Sequence, residues 1–116
     1  MEVPVPKVKQ ADVLRIIDRD FPVRVRKKVL SILNEYKEKE VARVHLAILK
    51  LSAGQMEKLP ELVRTACGDY RDVLSPAEYP EFDKIGFVGV DDLTTKQRND
   101  LIKRDWDQYQ AWLSRS

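Results

Sequence analysis

The chain is poor in the residues that carry most enzyme chemistry. Of its 116 residues, one is cysteine and one is histidine. Cys67 alone cannot close an internal disulfide, so nothing in the composition asks for an oxidising compartment. With only His45 beside it, no zinc site of usual spacing can be drawn. No apolar run approaches the ~18 to 20 residues of a membrane span, and the opening MEVPVPKVKQ lacks the apolar stretch of a secretory signal. These absences point to a cytoplasmic protein with no membrane partner. Phosphate-cradling glycine loops, the HExxH zinc helix, the GxSxG nucleophile elbow and the Glu-x-x-His pair of helical di-metal sites are also missing. A nucleophile–base pair would have to be Cys67 with His45, and both fall inside predicted helices. Cys67, beside Ala66, reads as a small buried hydrophobe. His45 reads as a helix-surface or hydrogen-bonded core residue. The sequence therefore predicts no catalytic residue, no metal site, no cofactor, and a protein that is not an enzyme.

What is present describes a globular chain. Hydrophobic residues make up 43% and charged residues 34%, with 4 glycines and 6 prolines, which excludes fibrous and disordered classes. The length suits one domain, folding without staples. The net charge of +2 hides a split: residues 1–50 carry 12 Lys/Arg against 7 Asp/Glu, and residues 51–116 carry 9 against 12. The acidic extreme is 69–92, with seven carboxylates opposed by Arg71 and Lys84. Two solvated faces of opposite lean would explain this, and so would docking onto a charged partner or a second copy.

Periodicity predicts an all-α fold, a compact bundle of about five helices with a short extended segment near 85–90. Residues 1–10, where valine alternates with proline and lysine, read as an extended arm, and 11–116 as a single helical domain. The first helix is expected over 11–20, with Val13, Ile16, Ile17 and Phe21 on one stripe and Pro22 ending it. The second is expected over 24–39 and the third over 40–52, closed by Ala53-Gly54. The fourth runs to Leu74 across Gly68, with residues 56–59 as a separate tight turn. Ser75-Pro76-Ala77-Glu78 reads as the start of a one-turn helix that Pro80 stops. Residues 85–90 are the only strand-like run. A Thr94/Gln97 capping box opens the last helix, which carries Trp106 and Trp112.

Two surfaces stand out. Arg24, Arg26, Lys27 and Lys28 crowd the start of the second helix, where cations oppose the helix dipole. With Lys7, Lys9, Arg15 and Arg19 nearby they would form an anion-binding face for nucleic acid or phosphate. The alternative is a counter-surface to the acidic segment. Tyr79, Phe82 and Phe87 lie in the Gly- and Pro-containing stretch before the last helix, where large aromatics either lid the core or anchor a protein partner. The leading expectation is a small non-enzymatic protein-interaction module, adaptor or inhibitor-like, that meets another protein or itself as a homodimer. Weak nucleic-acid or phosphate binding is the second expectation, and an enzyme of unrecognised type the third.

The phrases DYRDVL at 69–74, AEYP at 77–80, IGF at 85–87 and DWDQYQAWL at 105–113 resemble a family of small uncharacterised bacterial helical proteins. The likeness covers most of the chain after residue 11. It implies a bacterial cytoplasmic single-domain protein and lends no activity or site residue.

Overall fold

A computed structural model describes residues 3–116, and within them every side chain except those of Phe87, Val88 and Val90. Seven α-helices follow one another among the described residues: α1 (Gln10–Asp20), α2 (Arg26–Leu33), α3 (Val41–Ser52), α4 (Leu59–Gly68), α5 (Arg71–Glu78), α6 (Pro80–Asp91) and α7 (Thr95–Ser114). Single 3₁₀ turns at Val23–Val25 and Met56–Lys58 lead into α2 and α4. The all-helical class is as the periodicity predicts, but the helices are seven rather than five.

α3 is the centre. Residues 44–49 are all buried, so this helix has no solvent face over that stretch, as a helix apolar on all sides requires. It packs against α1, α4 and α5. Val13, Ile16, Ile17, Val29, Leu33, Val63, Val73 and Leu74 close the main core around it. A second, smaller core forms from Phe82, Leu101 and Ile102, with Tyr79, Leu93 and Val3 against them. It holds α6 to α7.

The departures from expectation have local causes. The second helix stops at Leu33, and residues 34–40 loop back to α3, entering it through Glu40 at φ 55°. Tyr36 is buried as the stripe implies, but from this loop; its hydroxyl donates to the Lys39 carbonyl at 2.6 Å. The fourth helix does not cross Gly68. It ends there, and Asp69 accepts the Arg71 backbone N–H at 3.0 Å to start α5. Pro76 lies inside α5, so Ser75-Pro76 marks no new start, and Pro80 opens α6 instead of stopping a turn. The extended segment near 85–90 is corrected to helix. No strand occurs among the described residues. α6 is two helical pieces joined at Gly86, whose φ of 75° and ψ of 172° break the ladder once, a conformation essentially confined to glycine.

Candidate functional site

The arm of residues 3–9 lies across the junction of α5, α6 and α7. Val3 packs into the small core, Pro6 is buried, and Val8 reaches the main core, while Pro4 and Val5 stay exposed. Residues 3–8 form no hydrogen bond with the rest of the described chain. Side-chain packing alone therefore seats them. Beneath Val3, Pro4 and Pro6 is a cleft walled by Tyr79, Ile102, Trp106 and Tyr109, with Glu78 and Asp105 at its floor; about 10 Å³ is left unfilled.

The cleft stands on a dense polar support. Arg43 reaches from α3 and holds Glu78 with two bonds of 2.6 and 2.7 Å, and Glu78 is only 6% exposed. This bidentate pair keeps Arg43 firmly charged and is the fork geometry that guanidinium and carboxylate share. Asp105, 2% exposed, accepts the backbone N–H groups of Glu81 and Phe82, each at 3.0 Å. Those are orphan donors of the first turn of α6. Tyr79, which precedes Pro80, offers no side-chain acceptor of the usual capping kind, so α7 supplies one. Burial raises the Asp105 carboxyl above its ordinary range, and the two backbone donors oppose that rise. One turn on, the Gln108 amide donates to the Asp105 carbonyl at 2.9 Å and to the Glu78 carbonyl at 3.3 Å. The Tyr109 hydroxyl is buried and has no partner, and burial pushes its pKa well above the usual phenol value.

Of the aromatic trio, Tyr79 is half-buried on the cleft wall, edge-to-face with Phe82 at 5.9 Å between centroids. Phe82 is 8% exposed and buried in the small core. It closes the small core, the lidding role that the sequence weighs beside partner contact. The side chain of Phe87 lies outside the described residues. Trp106, which periodicity separates from Trp112 around the helix, is the wall residue that the sequence did not single out for this place.

The basic cluster is divided. The Arg26 guanidinium donates to the carbonyls of Phe21 and Asp18 at 2.9 and 2.7 Å, closing the end of α1, which removes it from a free anion-binding set. Arg15 and Arg19 are also committed, to carbonyls at the end of α7. Arg24, Lys27 and Lys28 remain exposed and make no ion pair among the described residues. The counter-surface reading finds its contact elsewhere: Arg43, not this cluster, meets the acidic segment, at Glu78.

Cys67 is exposed, contrary to its expected burial, because the helix face it lies on turns outward just before α4 ends. It lies at a surface cavity of about 440 Å³ with Tyr36, Tyr70 and Arg71, and its thiol points to the Glu35 carbonyl at 3.9 Å. The last turn of a helix is its negative end, the opposite of the electropositive setting of activated thiols. His45 is fully buried, with Nε2 bonded to the Tyr36 carbonyl at 3.1 Å. No hydrogen bond joins the two as a dyad. Among the described residues no three His, Cys, Asp or Glu side chains gather as metal ligands, and no helix is long and apolar enough to cross a membrane.

No family matches the chain, and neither a curated protein nor a solved structure is detectably similar to it. Any functional assignment therefore rests on the geometry above.

Proposed function

We propose that the protein is a non-enzymatic protein-interaction module, and that it binds its partner at the cleft between the α5–α6 junction and α7. The observation that supports this reading is the arm itself. A Val-Pro-Val-Pro segment outside any helix sits on Tyr79, Ile102 and Trp106 and makes no hydrogen bond among the described residues. Aromatic-walled clefts of this kind hold polypeptide through side-chain packing. Tyr79 and Trp106 are half-buried, so each keeps surface for a further contact. The floor is cross-tied, because Arg43, Asp105 and Gln108 join α3, α5, α6 and α7 under it.

The test compares the unsubstituted chain with a Tyr79→Ala, Trp106→Ala double variant as bait in affinity capture, with and without nuclease. The expected outcome is a protein retained after nuclease and lost with the variant, whose helical circular dichroism is unchanged. Proteins that vanish with nuclease, whatever the state of the cleft, would overturn the reading. They would move the function to polyanion binding at Arg24, Lys27 and Lys28.

A further inference from the structure

We infer that the ligand of this cleft is an extended, proline-containing segment of another polypeptide, and that residues 3–6 occupy its place as an intramolecular stand-in. The inference rests on the interaction reading above and adds the chemistry of the partner. Three observations carry it. First, the cleft already holds a segment of that chemistry: Val3 packs on the small core, Pro6 is buried, and the exposed Pro4 between them also lines the cleft. Proline fixes φ near the polyproline value, so such a segment arrives with little backbone freedom left to lose, and aromatic clefts are the recurring receptors for it.

Second, the stand-in is replaceable. Among the described residues, residues 3–8 make no hydrogen bond to the body, so leaving the cleft breaks none there. Third, the fit is incomplete at one atom. Tyr109 lines the cleft, is 1% exposed, and its hydroxyl meets no acceptor or donor among the described residues. A buried hydroxyl without a partner is costly. A ligand that places a backbone carbonyl over Tyr109 satisfies it, an advantage the chain's own arm does not have. Proline-rich segments have free carbonyls to give, because their helix makes no internal hydrogen bonds.

The experiment uses the full chain and a fluorescent peptide of residues 1–9 as probe, read by anisotropy. Pro6→Asp sets a carboxylate against the buried Glu78 and Asp105 and should expel the arm. The expected result is probe binding at least ten-fold tighter to Pro6→Asp than to the unsubstituted chain. Tyr109→Phe in that background should weaken binding at least five-fold, and a probe with glycine for both prolines should not bind. A folded Pro6→Asp chain that binds the probe no better overturns the inference, as does equal binding of the glycine probe. Concentration-dependent dimerisation without probe binding also overturns it, by assigning the cleft to a second copy. Should Pro6→Asp fail to fold, the Trp106 indole N–H resonance of the unsubstituted chain is followed at millimolar probe. A saturable shift supports the inference and its absence overturns it. Probe failure alongside capture that still depends on Tyr79 and Trp106 refutes the ligand chemistry alone; failure of both removes the interaction reading as well.

Discussion

Burial sets the charge of His45. Its ring has no exposed surface, and burial lowers its pKa below the ordinary value, against the opposing pull of the Tyr36 and Leu33 carbonyls. The unfolded chain takes up this proton near pH ~6.5, while the folded chain resists it. Below that pH the unfolded state binds more protons, so stability must fall as the solution is acidified. The urea midpoint is expected to drop between pH 7.5 and 5.5, by at most about 1.4 kcal/mol per pH unit in free energy. The slope should flatten in His45→Leu, and an unsubstituted chain with a flat profile over this range would contradict the account. Asp105 acts in the opposite sense, since its raised pKa makes stability fall as pH rises from the unfolded carboxyl value near ~4. The difference between the two chains therefore isolates the histidine. His45 was legible as a helix-surface or core residue, and folding decided for the core. The exposure of Cys67 was not legible, because one residue of helix rotation, about 100°, separates core from solvent and sequence leaves that phase loose near a helix end.

At the level of elements, the joint between α5 and α6 shows how a local signal misleads. Ser-Pro-Ala-Glu has the form of a helix start. Yet α5 was already running from Asp69 and Arg71, and a helix under way passes Pro76 with the loss of a single backbone donor. The true start is at Pro80, where the donors of Glu81 and Phe82 are met only by Asp105, more than twenty residues away in sequence. Asp105→Ala is expected to destabilise the chain by about 1–3 kcal/mol, the cost of stranding two helix-start donors. Asp105→Asn, which keeps one acceptor oxygen, should cost less. Urea unfolding of both variants measures this, and equal stability of Asp105→Ala and the unsubstituted chain would show that the cap is idle. The run at 85–90 misled in another way: a short apolar stretch fits a strand or a buried helix equally well, and the fold makes it helix, broken once at Gly86 and packed on α7.

Over the whole molecule, the cations of the first helix close the last one. Arg19 donates to the carbonyls of Trp112 and Arg115 at 2.7 and 2.9 Å and stacks on the Trp112 ring at 5.2 Å; Arg15 donates to the Leu113 carbonyl at 2.8 Å. These are the orphan acceptors at the negative end of α7, where a cation is favoured. Arg19→Met is expected to cost about 1–3 kcal/mol, since bonds to a charged group are lost and carbonyls are stranded. Arg19→Lys should restore less than half, because an ammonium cannot reproduce the planar fork and stacking. Hydrogen exchange of amides 110–114 reads the effect directly, and unchanged protection there in Arg19→Met would refute the clasp. The sequence phrases DYRDVL and AEYP fall on a different joint: the first opens α5, the second spans the α5–α6 break, and Asp105, Gln108 and Tyr109 face it from α7.

The sequence by itself determined the helical class, the apolar stripe of α1, the Ala53-Gly54 stop and the Thr94 capping box. Each is governed by neighbours within one or two turns, where backbone propensity and apolar spacing act. Tertiary structure alone decided which cations were free, which aromatics were spent on cores, and where the cleft lies. Arg15, Arg19 and Arg26 look like one surface in sequence, yet Arg15 and Arg19 are consumed by the end of α7, which only folding brings near, and Arg26 turns back to close the end of α1. Phe82 and Tyr79 stand three apart, and contact with Leu101, Ile102 and Trp106 on α7 gives one to a core and the other to a wall. Those contacts join residues of α7 to a joint far away in sequence, beyond the reach of any local rule.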